Sequence, residues 1–412
     1  MTRSRLRAAL LNSALVLAGI GVPLAGLEAY FRFAAPQRPG IYAPDSVLLH
    51  RLVPRGMKVY RHHRGNGGGR VNVYVNPDGF RGPPLRRDGD APRVLVYGDS
   101  FIEGEFVPDR ESYPRVLERY LRAARGDSVE VVNAGVIGYG PDQVLLRMER
   151  ELDRLKPAGV VVAVFADNDL GDLVRNRIFR LAADSTLVRN RYVLSPAIRR
   201  YLGAWSRPTG LRRLHLVRWG LRRMEDARGS IADVAAGLSP EDPRPPMDQY
   251  LDWSLRRSAA TYRSFVEQGS DTVTSLLGDH YDADIALTPD APSARYKLAV
   301  MERVLGEMRR LLEPRGIAGL VLIIPSPVDI CESYDPRVDS TAHPRYDRRR
   351  QSREIEAMAR RQGLRVLNLW EPFREAGACA LYYRYGDNHW NAAGQLEAAR
   401  ATRDSLLFGT SP

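Results

Sequence analysis

Five short apolar runs, rich in β-branched residues, constrain the fold of this chain more than any other feature. They have the length and composition of buried parallel strands, and helical stretches lie between or after them. Because strand and helix alternate, the pattern predicts a doubly wound parallel α/β sheet, whose ligands bind beyond the carboxyl ends of the strands. The predicted strands are Val94 to Tyr97, Val129 to Asn133, Val160 to Phe165, Leu320 to Ile324 and Val366 to Leu369, and the predicted helices are Tyr113 to Ala124, Pro141 to Leu155, Ala294 to Leu312, Arg348 to Gln362 and Ala392 to Leu407.

Two segments of the chain depart from this alternation. Between about Arg175 and Pro292, arginine-rich helical pieces and acidic, proline-containing loops replace the strands, which predicts a helical insertion. Arg38 to Gly69 is rich in proline, glycine and arginine and predicts an extended stalk. Val71 to Gly82 then predicts a lead-in strand and a turn. We therefore expect a stalk over residues 31–70 and a sheet domain over 71–412, with its insertion at 175–292.

The N-terminal region contains an uncharged run of twenty residues from Ala8 to Leu27, preceded by Arg3, Arg5 and Arg7. A run of this length spans a bilayer as one helix, which would make residues 1–30 a single-pass transmembrane anchor. Arginines on the near side predict a cytoplasmic N-terminus and place the rest of the chain outside the inner membrane, in the periplasm or beyond. A cleaved signal peptide is the alternative, although its apolar region is usually shorter. Both interpretations export the rest of the chain.

The net charge of +12 raises the question of a nucleic-acid partner. Only three of the 61 basic residues are lysine, namely Lys58, Lys156 and Lys297. Such a bias reflects GC-rich coding more readily than selection for phosphate binding, and the sequence contains no zinc finger, RNA-recognition motif or basic zipper. We therefore predict no nucleic-acid partner.

Cysteine and histidine are too few and too scattered to predict a metal site. Two cysteines, Cys331 and Cys379, cannot build a disulfide framework, and in an exported domain they either form one disulfide or remain two buried thiols. Most of the seven histidines, among them His62 and His63 in the expected stalk, lack the spacing of metal ligands. No metal and no cofactor is predicted.

Polar residues follow the first three predicted strands where a parallel sheet opens to its ligands. Ser100 comes directly after the first strand, so it is either a nucleophile or the cap of a turn. Gly138 lies in the glycine-rich turn after the second strand, and Asn168 follows the third. A backbone N–H and a side-chain NH2 at these positions can donate to an oxyanion, although a simple turn explains either one alone.

A histidine and an aspartate follow the fifth predicted strand. Asp387 precedes His389 by two positions in a loop before the last helix. A carboxylate placed there can orient the imidazole and stabilise its charged form once it has accepted the proton of a serine. A histidine alone would more often be structural. Four weak motifs in chain order at one predicted sheet edge together favour a serine nucleophile with Asp387 and His389 as its acid and base.

These residues resemble the motifs of the SGNH/GDSL hydrolase family. The resemblance implies a flavodoxin-like sheet that carries a serine nucleophile, a histidine base, an orienting acid and three oxyanion donors. The matching blocks are Gly98-Asp99-Ser100, Asn133 to Gly138, Asn168-Asp169 and the Asp387/His389 pair. The implied roles are nucleophile for Ser100, base for His389, acid for Asp387, and oxyanion donor for the Ser100 N–H, the Gly138 N–H and the Asn168 side chain.

Two positions depart from the family pattern. The third block has Ala166 where the family usually has glycine, and the last block has its aspartate two residues before the histidine rather than three. Asp387-Asn388-His389-Trp390 resembles the D-x-H-W block of alginate O-acetyltransferase relatives, which leaves open whether water or a sugar hydroxyl accepts the acyl group.

The sequence therefore predicts an exported serine esterase for acetyl esters of glycans or lipids. An O-acetyltransferase that modifies an exported or cell-surface polysaccharide is the alternative, and it would need a membrane-bound acyltransferase partner to supply acetyl groups. A third interpretation is a glycan-binding module without turnover.

Overall fold

The computed structural model describes residues 3–87, 91–125, 129–206, 208–224, 247–267, 272–278, 280–334, 338–385 and 388–408. The strands within these ranges are β1 (Tyr42–Asp45), β2 (Leu49–Leu52), β3 (Met57–Arg61), β4 (Arg70–Tyr74), β5 (Arg93–Gly98), β6 (Glu130–Gly135), β7 (Gly159–Ala166), β8 (Phe179–Leu181), β9 (Leu187–Arg189), β10 (Arg191–Leu194), β11 (Thr272–Ser275), β12 (Ala318–Pro325) and β13 (Arg365–Asn368).

The α-helices lie before, between and after these strands. They are α1 (Arg3–Phe33), α2 (Ser100–Glu103), α3 (Tyr113–Arg125), α4 (Pro141–Leu155), α5 (Asp169–Asn176), α6 (Pro196–Ser206), α7 (215–224), α8 (Met247–Glu267), α9 (Ala283–Leu287), α10 (Pro292–Leu312), α11 (Pro327–Ile330), α12 (Arg350–Arg361), α13 (Trp370–Glu375) and α14 (Ala392–Phe408).

Five parallel strands form the central sheet in the order β13-β12-β7-β5-β6. This order confirms the predicted flavodoxin-like, doubly wound α/β fold, and each of the five predicted strands lies within two residues of an observed one. The direction of winding reverses between β5 and β7, where Tyr97 pairs with Val162. A crevice for a ligand is expected beyond the carboxyl ends of these two strands.

The two faces of the sheet are both covered by helices, which explains why its strands are mainly apolar. Alternate residues of β7 enter two different core clusters. On the side of α4 and α10 lie Val160, Val162 and Val164, and on the side of α3 and α14 lie Val161, Ala163 and Phe165. Each fully buried aliphatic side chain stabilises the fold by about 2 kcal/mol.

The segment between α1 and the sheet differs from the expected extended stalk. β1 pairs with β2, and β3 pairs with β4, in antiparallel hairpins. The side chains of Ile41, Leu49 and Leu52 are buried in the main core. The stalk prediction is therefore wrong from Ile41 to Arg61, because the high proline, glycine and arginine content concealed apolar residues that enter the core. The folded domain begins near residue 41 rather than at 71.

The insertion at 175–292 contains helices, as predicted, together with short strands. β8 and β9 form an antiparallel hairpin, and β10 pairs in parallel with β11. Helices α6, α7, α8 and α9 supply most of its remaining described residues. Residues 225–246 of the insertion lie outside the described ranges.

The N-terminal helix is the part of the described chain that is long and apolar enough to cross a membrane. Its span from Leu10 to Phe33 is 24 residues long and contains an 18-residue stretch with a mean hydropathy of 1.9. A signal sequence near an N-terminus meets the same criterion. The helix therefore supports membrane targeting, and it fits both an uncleaved anchor and a cleaved signal peptide.

Cys331 and Cys379 are not joined by a disulfide in this structure. Cys331 is buried, whereas Cys379 is exposed. The alternative of two buried thiols is therefore wrong for Cys379, which lies in a turn at the surface.

Candidate active site

Ser100 lies at the reversal point of the sheet, directly after β5. It begins the short helix α2, and the carboxylate of Asp99 caps that helix by accepting the Phe101 N–H at 2.9 Å. Gly98 is needed for this tight turn, because a Cβ there would lie 2.5 Å from the side chain of Ile102. The strand-to-helix turn therefore holds the Ser100 hydroxyl at the carboxyl edge of the sheet.

His389 lies beside Ser100, although 289 positions separate the two residues in the chain. The distance from His389 Nε2 to Ser100 Oγ is 2.6 Å. Phe101 stacks on the imidazole with ring centroids 4.6 Å apart, and the Trp390 indole donates to the Phe101 carbonyl at 3.0 Å. The imidazole is thus held where it can accept the hydroxyl proton of Ser100.

The loop that carries His389 is tied back on itself. Tyr382 and Trp390 form an antiparallel bridge, and the Tyr383 N–H donates to the His389 carbonyl at 2.9 Å. Asp387, the predicted orienting acid, lies outside the described residues. Its role therefore stays a prediction.

Gly138 lies in the turn between β6 and α4. Its φ of +67° falls in the left-handed region that favours glycine. The Val136 N–H donates to the Gly98 carbonyl at 3.0 Å, which ties this turn to the chain just before the serine. The placement is compatible with an oxyanion donor at Gly138, and that role also stays a prediction.

Asn168 lies at the N-terminus of α5, and its amide is held in one orientation. The Asn168 Nδ2 donates to Asp172 at 2.9 Å, and the Asn168 carbonyl accepts from Arg175 at 2.6 Å. Arg175 in turn forms an ion pair with Asp172 at 2.8 Å. Because an amide nitrogen carries two hydrogens, Asn168 can hold Asp172 and still donate to an oxyanion.

The change Asn168→Ala is expected to lower kcat for an acetyl ester by about 10²–10³-fold with little change in KM, because the lost donor acts on charge that develops in the transition state. Initial rates with p-nitrophenyl acetate measure the effect. Asn190→Ala is the matched control, since the Asn190 amide donates to the Arg177 carbonyl within the insertion. An Asn168→Ala enzyme within tenfold of the wild type would remove Asn168 from the oxyanion hole.

A buried acid that the sequence analysis missed lies close to the nucleophile. Glu103, the last residue of α2, is fully buried, and its carboxylate accepts the Ile137 N–H and the Tyr42 hydroxyl, each at 2.7 Å. Burial raises the pKa of Glu103 to about 7, and the neighbouring charge of Glu105 adds to the rise. Since Ile137 precedes Gly138, Glu103 fixes the turn that carries the predicted oxyanion donor.

The β1–β2 and β3–β4 hairpins, which replace the expected stalk, also hold the turn that carries Gly138. His50 Nε2 lies 2.7 Å from the Ile137 carbonyl, and the Tyr139 hydroxyl donates to the His50 carbonyl at 2.6 Å. Burial lowers the pKa of His50, which keeps its imidazole neutral. The hydroxyls of Tyr42 and Tyr60 lie 2.7 Å apart and extend the network from Glu103 to β3. No local pattern in the sequence indicates these contacts, because every partner is distant in the chain.

The titration of Glu103 predicts how stability depends on pH. A carboxyl group with a pKa of about 7 in the folded state and about 4.5 in the unfolded state binds more protons when folded within that window. The free energy of unfolding therefore falls as the pH rises from about 4.5 to 7, by about 3 kcal/mol for this group. Glu103→Gln keeps an oxygen for the Ile137 N–H and does not titrate.

Urea unfolding of the wild type and of Glu103→Gln across this pH range is the measurement. The unfolding free energy of the variant minus that of the wild type should increase by about 3 kcal/mol from pH 4.5 to 7. Glu307→Gln, at a surface glutamate paired with Arg310, is the matched control for the substitution itself. If the difference in unfolding free energy between Glu103→Gln and the wild type stays constant with pH, burial does not raise the pKa of Glu103.

Aromatic rings surround the loop of the candidate base. Phe106 lies 5.8 Å from His389 between ring centroids, and His62 packs on both Phe106 and Tyr383. His62 therefore lies at the edge of the site rather than in a solvated stalk. Within the described ranges, no three histidine, cysteine or carboxylate side chains converge as metal ligands do.

Residues 264–407 match the family model of the SGNH hydrolase-like domain of the acetyltransferase AlgX. That part of the chain is therefore similar to an SGNH hydrolase-like domain. The matched range holds β12, β13 and the His389 loop, and it leaves out Ser100. The predicted resemblance to SGNH proteins and to acetyltransferase relatives is confirmed, and with it the prediction of an enzyme that hydrolyses esters or transfers acyl groups.

Several solved structures are similar to the chain at low identity. LAE5, an α/β hydrolase enzyme from the metagenome of Lake Arreo, Spain, is 13% identical with a TM-score of 0.37, over 78% of this chain and 98% of that chain. A catalytic mutant of Axe2, an acetylxylan esterase from Geobacillus stearothermophilus, is 11% identical with a TM-score of 0.36, over 78% and 97%. At these TM-scores the similarities support no conclusion on function. The search of curated protein sequences found no match.

Proposed function

We propose that this SGNH-type enzyme is a serine esterase that forms an acetyl-enzyme on Ser100. The contact of 2.6 Å between His389 Nε2 and Ser100 Oγ carries the proposal. Ser100 Oγ attacks the ester carbonyl carbon while His389 takes the hydroxyl proton. The carbonyl oxygen becomes an oxyanion, which accepts hydrogen bonds from the Ser100 N–H, the Gly138 N–H and the Asn168 amide.

Collapse of the tetrahedral intermediate breaks the bond to the alcohol. The alcohol leaves with the proton that His389 carries, and the acetyl group stays on Ser100. A water molecule then gives its proton to His389 and attacks the acetyl carbonyl. Acetate leaves, and Ser100 regains its proton from His389. Asp387 is the candidate for stabilising the imidazolium at both stages.

The substrate that we propose is an acetylated glycan or lipid. The rings of Phe101 and Phe106 both lie against the candidate base and begin an aromatic wall. His62 and Tyr383 extend the aromatic wall away from His389, where the alcohol portion of an ester would lie. Such a wall offers a surface on which the alcohol portion of an acetyl ester can pack.

The enzyme would work outside the cytoplasm, attached to the inner membrane by α1. The apolar helix from Leu10 to Phe33 supports the anchor, and the arginines before it support a cytoplasmic N-terminus. Protease treatment of intact spheroplasts tests this topology. A catalytic domain that is protected until the membrane is permeabilised would contradict it.

O-acetyl transfer to a polysaccharide is the second candidate, and the match to the acetyltransferase AlgX domain favours it. A sugar hydroxyl would then replace water in the second attack. Since acetyl-CoA is a cytoplasmic metabolite, a membrane-bound acyltransferase partner would supply the acetyl groups.

The two candidates differ in the fate of the acetyl-enzyme. An esterase should turn over p-nitrophenyl acetate continuously without any acceptor. A transferase should give a burst of nitrophenol, stall, and resume when an oligosaccharide is added, with acetylated oligosaccharide detected by mass spectrometry. A folded protein that gives neither turnover nor burst would refute both.

A further inference from the structure

A basic and apolar segment lies against the end of α1. It consists of the 3₁₀ turn Gly210–Arg213 and helix α7, and we call residues 210–224 the basic segment. The segment has no acidic residue and contains five arginines, which are Arg212, Arg213, Arg218, Arg222 and Arg223.

Specific contacts fix the basic segment in place. The Leu216 N–H donates to the Glu28 carboxylate of α1 at 2.8 Å, and the Gln37 N–H donates to His215 Nδ1 at 2.9 Å. The ring of Trp219 stacks on Phe31, with centroids 5.0 Å apart and planes at 28°. Because of these contacts the basic segment has a defined position beside the last turns of α1.

Several large apolar side chains of the basic segment are exposed. Leu211 is 74% exposed, Met224 56% and Trp219 38%. The guanidinium of Arg223 lies 5.8 Å from the centre of the Trp219 ring. Tryptophan with arginine beside an exposed apolar surface is the composition of a helix that lies in the interface of a membrane.

The apolar surface of α1 leads directly to this segment. The membrane-length part of α1 ends at Phe33, and Phe31 is the residue that Trp219 covers. If α1 crosses a bilayer, Trp219 therefore lies at the depth where the hydrocarbon core meets the headgroups.

We propose that the basic segment is a membrane-contact surface for anionic phospholipids. Trp219, Leu211 and Met224 enter the interface, and Arg212, Arg213 and Arg223 bind the phosphate groups of the lipids. Arg218 and Arg222 instead donate to the carbonyls of Gln37 and Arg38. The proposal rests on the proposed anchoring by α1, and it adds a second attachment that sets the orientation of the catalytic domain over the bilayer.

The test measures the emission of Trp219 in the full chain reconstituted into vesicles. The emission of Trp219 is obtained by subtracting the fluorescence of Trp219→Phe from that of the wild type. Vesicles of phosphatidylcholine with phosphatidylglycerol, brominated on their acyl chains, should quench most of this emission. Trp253→Phe is the control, since Trp253 is similarly exposed but packs on Tyr250 and His280. It should leave the quenched component unchanged.

Each other outcome overturns the proposal. If the chain co-floats with the vesicles but the brominated lipids do not quench the Trp219 emission, the chain is anchored and the basic segment does not contact the membrane. If that emission is also shielded from iodide, a second copy or another protein covers the segment. Quenching that is equal without phosphatidylglycerol, and unchanged in Arg212→Gln/Arg213→Gln, would refute the anionic lipid. A chain that does not float at all would refute the anchor and the contact surface together.

Discussion

Ser100→Ala is expected to lower kcat/KM for acetyl esters by about 10⁶-fold, because the nucleophile of an acyl-enzyme mechanism is lost. Ser100 is 8% exposed and its hydroxyl contacts His389 Nε2 at 2.6 Å, so a methyl group in its place should leave the fold intact. Steady-state hydrolysis of p-nitrophenyl acetate measures the loss, and circular dichroism and thermal unfolding report on the fold.

Ser206→Ala is the matched control. Ser206 donates to the Leu202 carbonyl within α6 of the insertion, so its loss should not alter the rate. If Ser100→Ala keeps more than a few per cent of the wild-type rate while folded, another residue is the nucleophile.

His389→Ala is expected to be nearly as damaging as the serine change, again about 10⁶-fold, because without the base the hydroxyl stays protonated. The losses of kcat/KM in the two single variants, expressed as free energies, should not add in the double variant. Ser100→Ala/His389→Ala should be about as slow as either single variant, since both residues act in one proton-transfer unit. This behaviour separates a catalytic pair from two residues that are each needed for stability.

The control for the base is His343→Ala, at a histidine outside the site. Kinetics of the three catalytic variants and this control, under the same conditions, give the coupling between Ser100 and His389. A double variant whose loss equals the product of the single losses would show that the two side chains act independently.

The sheet could be predicted from the sequence because its strands are buried on both faces. Runs such as Val160 to Phe165 carry β-branched residues with no polar interruption, and only a strand between two helical layers needs that composition. Helix Pro141–Leu155 was predicted to the residue, because proline favours the first turn of a helix.

The hairpins before the sheet could not be predicted in the same way. Ile41 and Leu49 are scattered among prolines, glycines and arginines, so neither periodicity nor composition indicates that they are buried. Their burial depends on a surface that α4 and the glycine turn provide, and it includes contacts such as that of His50 with Ile137, 87 positions away. Such contacts follow from the tertiary structure alone.

The sequence predicted Ser100 and His389 of the candidate site but not Glu103. Ser100 and His389 each follow a strand of a parallel sheet, and the topology brings the carboxyl ends of those strands to one edge. Glu103 has no such signal, since an acid in a short helix is normally exposed. Its burial arises because Tyr42 and the Ile137 N–H converge on it from separate elements.

The measurement that most directly tests the pairing of Ser100 with His389 is covalent labelling by a fluorophosphonate, followed by peptide mapping with mass spectrometry. The wild type should carry the phosphonate on Ser100, Ser100→Ala should carry none, and His389→Ala should react far more slowly. A label on a different residue, or a wild-type enzyme that hydrolyses esters and yet stays unlabelled, would contradict the account.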